Sequence, residues 1–526
     1  MFSPPLYVVR KFNLNYIISH DFNIQISSEE EKRFYIKQQD NMLFRQIRMI
    51  TYDSSEFNRY VIFVDCTGGQ NKKDDMKRLI EKGFKIGKQR FVIGERSASM
   101  VRTAILSFNE VHVSKELDAR ITMGISFDKT VISKYTAYRG LMLSSCHCID
   151  NWVPKIIVVK DYFVTVPQQK IKYVYDKKVS FMKDGKQREW VQKDIAQTTK
   201  DITINAFDGC GICHPSIMRE IEARIGTDDH INSCIIRAPY IKGVIHDMDY
   251  ERFFAERGVK KITDYWGVDH DVSPGSEPMI ILTEGQYKGI KYFKHDGTIN
   301  DWNDYWIQFA KYRHCIGIAK WNFTLESEPL MTRINYQILQ DLNLPFEKFT
   351  RLADKSIEWY EKIVRGDPVY TYCFLGMLSD RHDPLNNYAE AVLRNPEMLQ
   401  EQGVNNYITG LLDKYRNQFK CGKLWTDATF KFLAPDLIML MEHIGGLEPV
   451  GCLNADEFYC FDRRGVMNGE RLIERNPHIC KSEHTILSAI NNSLIEKYCS
   501  HLVNVAMINC KSITPQRLNG ADQHKV

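Results

Sequence analysis

Two lysines stand inside runs of apolar, strand-forming residues. Ile235-Ile236-Arg237-Ala238-Pro239-Tyr240-Ile241-Lys242-Gly243-Val244-Ile245 places Lys242 just before a glycine, and Ile280-Ile281-Leu282-Thr283-Glu284-Gly285-Gln286-Tyr287-Lys288-Gly289-Ile290 does the same for Lys288. An ammonium buried without a partner is costly. It must reach water or an anion, and a phosphate meets that need through charge-assisted hydrogen bonds. Lysines that snorkel to solvent at the rim of a barrel share the pattern, so the residues alone leave both readings open.

Near the C-terminal end, Ile473-Glu474-Arg475-Asn476-Pro477-His478-Ile479 offers an arginine and a histidine on a proline-fixed turn. Asn519-Gly520-Ala521-Asp522 offers a carboxylate on a glycine turn. Phosphoryl transfer by paired metal ions needs several oxygens to neutralise the attacking and leaving groups. Asp522 alone does not assemble that set.

A third candidate is Phe207-Asp208-Gly209-Cys210-Gly211-Ile212-Cys213-His214-Pro215. Its C-x-x-C-H pattern matches haem attachment, but such haems are loaded after export and no export signal is expected here. Zinc held by Cys146, His147 and Cys148 with Cys210, Cys213 and His214 has ligand types in its favour, yet nothing fixes the two clusters together. Buried thiols on a glycine-rich turn are the favoured reading. A basic belt follows Lys72, Lys73, Lys77, Arg78, Lys82, Lys85, Lys88 and Arg90, with Arg96 and Arg102 beyond it and Lys134, Tyr138 and Arg139 further on. Basic residues interleaved with tyrosines and small residues suit a phosphate backbone. A solvated helical face explains the first cluster equally well.

The elements that must position these groups follow from length and patterning. A chain of 526 residues is expected to form three or four units at roughly 150 residues each. Its hydrophobic content of 44% is enough for sizeable cores. The net charge of +4 is too small to demand a polyanionic partner by itself. Fourteen cysteines without an export signal point to a reducing cytoplasm, and no membrane span is expected. No fixed-period repeat is visible in the residues. Residues 1–150 read as a mixed α/β head, with strands at Arg59–Asp65 and Arg90–Ile93 and a helix at Lys72–Lys82. Residues 151–300 read as short strands with glycine, proline and aspartate turns, a barrel-like rhythm with a hairpin at Asp184-Gly185. Residues 301–420 are helical in character, and residues 421–526 return to short strands ending at Leu502–Ile508. The fold class is therefore α+β.

Taken in order, DGCGICHPS, IRAPYIKGVI, ILTEGQYKG, RINYQILQ, ERNPHI and RLNGAD resemble the single-chain RNA polymerase family with two double-psi β-barrels. That family includes eukaryotic RNA-dependent RNA polymerases of gene silencing and related phage-encoded polymerases. VIGERSASMVR and SKYTAYRGLMLSS are similar to its upstream region. The resemblance implies a double-psi barrel core with a helical inter-barrel region, and Lys242 and Lys288 touching nucleotide phosphates and the RNA end. It implies nucleic-acid or nucleotide contact by Arg96, Arg102, Arg237, Gln337, Arg475 and His478. Arg333, Gln337 and Gln340 resemble the start of the helical region. The family then reads D-x-D-G-D, whose aspartates bind Mg2+; Asp522 stands at its start, and Gln523-His524-Lys525 replaces what should follow. The expectation is a nucleotidyltransferase component, phage-type and DNA-directed, with RNA-directed synthesis or a non-catalytic nucleic-acid binder as alternatives. Its second barrel is expected to be incomplete, its catalysis to need a C-terminal polymerase fragment, and its partners to be template, RNA product and nucleoside triphosphates.

Overall fold

The computed structural model describes residues 6–124, 131–290, 301–376 apart from positions 323, 327 and 330, 386–518, and Gly520. The head is a seven-stranded sheet in the order Asn23–Ile24, Phe84–Ile86, Gln89–Ile93, Ile105–Glu110, Phe57–Asp65, Leu6–Asn13 and Tyr35–Gln39. Val61, Ile62, Phe63 and Val64 are all buried because both faces of this central strand are covered. The basic helix lies at Lys73–Lys82 and buries only Leu79, so most of its lysines face water.

A second seven-stranded sheet carries the lysine motifs. Its order is His147–Ile149, Ile316–Trp321, Ser233–Ala238, Ile241–Asp247, Cys210–Cys213, Met279–Thr283 and Lys155–Val159. A third sheet of five strands runs Phe432–Ala434, Val505–Ile508, Glu457–Tyr459, Thr485–Ala489 and Gly469–Ile473.

These two sheets repeat one topology. In the first, Ser233–Ala238 is antiparallel to Ile241–Asp247, which is parallel to Cys210–Cys213; that strand is antiparallel to Met279–Thr283, which is parallel to Lys155–Val159. In the second, Gly469–Ile473 is antiparallel to Thr485–Ala489, which is parallel to Glu457–Tyr459; that strand is antiparallel to Val505–Ile508, which is parallel to Phe432–Ala434. The chain enters the five strands in the same sequence both times. A short helix follows the fourth spatially equivalent strand in each, Tyr250–Ala255 and Ser493–Tyr498. Over these five strands the second unit matches the first strand for strand.

The two sheets share one apolar core. Phe207, Ile212, Val244 and Ile281 from the first pack in the same cluster as Leu437, Met441, Leu502 and Met507 from the third sheet's surroundings. Polar contacts tie them as well: the Asn322 side-chain amide donates to the Val503 carbonyl at 3.0 Å, and the Cys510 thiol to the Ala206 carbonyl at 3.3 Å.

Two inserts leave this body. The Asp184-Gly185 turn has φ of 55° and 71°, the backbone that a two-residue hairpin requires. It closes a two-stranded ribbon, Phe163–Lys183 against Lys186–Asn205. The sequence pattern reads this stretch as several short strands; Pro167 and Gln168 only shift the register between Val166 and Gln169 instead of ending the strand. The second insert is helical, with Phe346–Val364 and Gln402–Lys420 packed around Ile363, Leu375, Ala389, Val392, Val404 and Ile408. Pro345 stands just before the first of these helices, where its missing N–H costs nothing.

Two buried histidines make the fold sensitive to acid. His246 takes a 2.7 Å hydrogen bond at Nδ1 with the Ser233 hydroxyl, and burial pushes it down to about 3. Burial likewise pushes His314 down to about 4. Both are neutral in the fold, while the unfolded chain takes up protons below about pH 6.5. The unfolded state therefore binds more protons as the pH falls, and stability drops. Each histidine should remove about 2 kcal/mol between pH 6.5 and 5. The urea midpoint should fall over that interval, and His246→Asn should flatten the fall by about half; a pH-independent midpoint would contradict the burial argument.

Candidate functional site

The first three motifs meet around one side chain. Gln286 is fully buried; its amide donates to the Val244 carbonyl at 2.8 Å and accepts from the Thr283 N–H at 2.9 Å. It occupies the space that side chains at Gly211 and Gly243 would need. A Cβ on Gly211 would lie 2.6 Å from Gln286 Oε1, and one on Gly243 would overlap Gln286 Nε2. The glycine after Lys242 is thus a packing requirement set by a residue of the next motif. Gly285 is equally confined, since a Cβ there would sit 2.8 Å from Asp208 Oδ1 and 3.5 Å from Asp161 Oδ2.

Lys242 lies on the strand Ile241–Asp247, half-buried, directly across the ladder from Arg237. Pro239 and Tyr240 form the turn between the two strands, with Tyr240 at φ 59°. Tyr305 holds that turn by donating to the Pro239 carbonyl at 2.8 Å. Lys288 is not on a strand, contrary to the sequence pattern. The chain leaves the sheet after Thr283 through a short helical turn, Glu284–Gln286, because Gln286 must fold back to cap Thr283. The detour brings Lys288 to Lys242: the Lys288 N–H donates to the Tyr240 carbonyl at 2.7 Å, and Ile241 bridges Tyr287. The Lys288 ammonium donates to the Gly285 carbonyl.

Asp161 is a site residue that the motifs do not reveal. Its carboxylate accepts from the Gly285 N–H at 3.0 Å and from Asn205 at 2.7 Å. Burial raises it above the usual carboxylate range, while those two donors and the Lys288 charge oppose the rise. No local pattern marks it, because its partners come from two distant segments.

Arg237 is the electrostatic outlier. It is 9% exposed, and its Nε and Nη1 make no hydrogen bond among the described residues. Burial pushes its guanidinium down to about 10. A desolvated guanidinium without a carboxylate is costly unless an anion completes it.

The last three motifs also converge. Asp341, the residue after RINYQILQ, meets His478 of ERNPHI at 3.1 Å. Arg475 Nη1 donates to the Leu518 carbonyl at 2.9 Å, joining ERNPHI to RLNGAD. Asp522 lies outside the described residues. Gln337 is half-buried in the first turn of the helix Tyr336–Gln340. Arg333 is packed between Tyr415 and Trp425, 4.8 and 4.6 Å from their ring centres.

The head residues stand apart from both groups. Arg96 is exposed and lines a cavity of about 660 Å³ with Lys73, Lys77 and Glu81. This cavity belongs to the head and not to the strands that carry the motifs. Arg102 is exposed at the end of the short helix Ala98–Arg102. Arg139 is committed to carboxylates, with Nε 2.9 Å from Glu95 and a further contact to Asp118. The two cysteine clusters do not meet: Cys210–Cys213 and His147–Ile149 are separated by three strands of the sheet, which excludes a shared zinc.

The fold so described has a counterpart among solved structures. It is similar to the RNA dependent RNA polymerase QDE-1 from Thielavia terrestris, with a TM-score of 0.56 and 12% identity, over 100% of this chain and 53% of that one. In sequence, the chain is similar to the DNA-directed RNA polymerase YonO of Bacillus phage SPbeta, at 26% identity over 439 residues, 80% of this chain and 46% of that protein. The resemblance carried by the ordered motifs to phage-encoded and RNA-dependent RNA polymerases therefore holds across most of the chain. No family model matches it. The chain spans about half the length of each of these two proteins.

Gln286→Ala should cost about 3–5 kcal/mol, since it leaves two buried backbone groups unpaired and opens a cavity. Equilibrium urea unfolding measures it, and a loss below about 1 kcal/mol would remove Gln286 from this central role.

Proposed function

We propose that this chain is a component of a template-directed RNA polymerase, DNA-directed, with a nucleoside triphosphate bound near Lys242, Arg237 and Lys288. The observation that carries the proposal is the Arg237–Lys242 pair: two cations opposed across one hairpin, the arginine buried with two unsatisfied nitrogens, and Lys288 tethered to the turn between them. Such a cluster fits the charge of a triphosphate.

In the reaction, the RNA 3′ oxygen forms a bond to the α-phosphorus of the nucleotide. The bond from that phosphorus to its bridging oxygen breaks, pyrophosphate leaves, and the hydroxyl proton passes to solvent. The cations of this chain would hold and orient the phosphates and offset the charge that grows on the leaving group. The five-strand repeat supports reading the two sheets as paired double-psi barrels, with residues 151–300 and 421–526 as their regions, the head at 1–150 and the helical unit at 301–420 between them.

The D-x-D-G-D motif of the family would hold Mg2+, which polarises the phosphoryl oxygens when bound. Asp522 alone does not make the oxygen set for such ions; the chain spans 46% of the phage polymerase, and a complementing polymerase segment would supply the remaining carboxylates. DNA as template rests on the similarity to the phage polymerase. No helix among the described residues is long and apolar enough to cross a membrane.

With the complementing polymerase segment supplied, the protein should extend RNA on DNA, and Lys242→Ala should lower the rate by about 100-fold with its melting temperature kept. Wild-type synthesis by Lys242→Ala would overturn the phosphate role. Synthesis on RNA but not DNA would transfer the assignment to an RNA-directed enzyme.

A further inference from the structure

Away from the lysine cluster, one group of side chains has the composition of a metal site. Asp341 follows the helix Tyr336–Gln340, His478 lies in the turn after the strand Gly469–Ile473, and His484 precedes the strand Thr485–Ala489. His478 Nε2 is 3.1 Å from Asp341 Oδ2, and His484 Nε2 is 3.1 Å from Asp341 Oδ1. The two rings stand 4.4 Å apart, and one donor atom from each of the three residues lies within 4.8 Å of the others. We propose that Asp341, His478 and His484 bind a divalent transition-metal ion, with Zn2+ the best fit.

Donor chemistry supports this first. Two imidazoles and one carboxylate leave open positions for water or another ligand, a set that suits zinc and its first-row neighbours. The separations support it too. Ligands about 2.0–2.2 Å from one ion stand about 3–3.5 Å from each other, and each histidine nitrogen lies 3.1 Å from an Asp341 oxygen.

The surroundings complete the pattern. His484 Nδ1 contacts the Glu474 carboxylate. A carboxylate behind a ligating histidine fixes the ring and its tautomer, so that the other nitrogen presents a lone pair to the metal. Without a cation, that lone pair would face the Asp341 oxygen. A dication there accepts that lone pair and offsets the negative charge of Asp341 and Glu474. The side chain of His478 is fully covered, whereas those of Asp341 and His484 keep 17% and 14% exposure, so an ion can enter and a water can stay bound.

The ion would clasp the end of RINYQILQ to the ERNPHI turn, whose Arg475 holds Leu518. Its role is to hold three chain segments in register, and its presence is independent of the polymerase reading.

The test uses the full chain, stripped with chelator and titrated with Zn2+ by calorimetry and with Co2+ by visible absorption. One equivalent should bind with a Co2+ d–d band, and Zn2+ should raise the melting temperature. Asp341→Asn and His484→Asn should abolish the band and the Zn2+-dependent rise, with circular dichroism unchanged. Glu474→Gln should weaken binding by about 10- to 100-fold. Cys480→Ser, a thiol beside the site, should leave the band intact, as should Asp522→Asn. Absence of binding, or a band of equal strength in both ligand variants, would overturn the proposal and leave a hydrogen-bonded triad. Since the readout is binding and not synthesis, failure here would not bear on the polymerase assignment.

Discussion

The buried amide of Gln286 is the constraint on which the lysine site depends. One side chain bonds to the strand of Lys242 and to its own strand end, and it fills the space that two glycines leave open. It thereby sets the spacing of three neighbouring strands and the path of the chain from Thr283 to Lys288. A polar group at the centre of an apolar sheet is tolerated because both ends of its amide have partners. Substituting a similarly shaped apolar group would leave two backbone groups unsatisfied.

Around this lock the molecule is built twice. Two sheets with the same five-strand order and the same pattern of parallel and antiparallel neighbours bury one continuous core between them. Their chemistry differs: the first unit carries Arg237, Lys242 and Lys288, while the second carries Arg475 and His478. The cationic cluster lies within the first unit, whereas the histidine–carboxylate cluster joins the second unit to Asp341 beside the helical insert.

Much of this was legible in the residues. Phe57–Asp65 and Val505–Ile508 form strands because their apolar runs are short and rich in β-branched and aromatic side chains. Asp184-Gly185 forms a hairpin because it accepts positive φ at both positions. Other features were not legible. The ribbon arms extend beyond their apolar patches because cross-strand hydrogen bonds pass through Gln169 and Lys170 regardless of polarity. Lys288 leaves the sheet because of a capping interaction made by Gln286, not because of its own neighbours. Asp161 and Asp341 have no local pattern, since each gains its meaning from segments more than a hundred residues away.

The sequence by itself determined which segments become strands and helices, and the order of motifs that places this chain beside the RNA polymerases. Those properties reside in local spacing and side-chain type, which act over a few residues. Only the tertiary structure decided the strand order that the two sheets share, for no fixed-period repeat in the residues announces it. It also decided which charges meet: Arg237 with Lys242 across a ladder, Lys288 with Asp161 near Gly285, and His478 and His484 on one Asp341 carboxylate. Backbone pairing and core packing can build the same five strands from dissimilar residues, whereas a charge cluster exists only once folding has brought its members within a few ångströms.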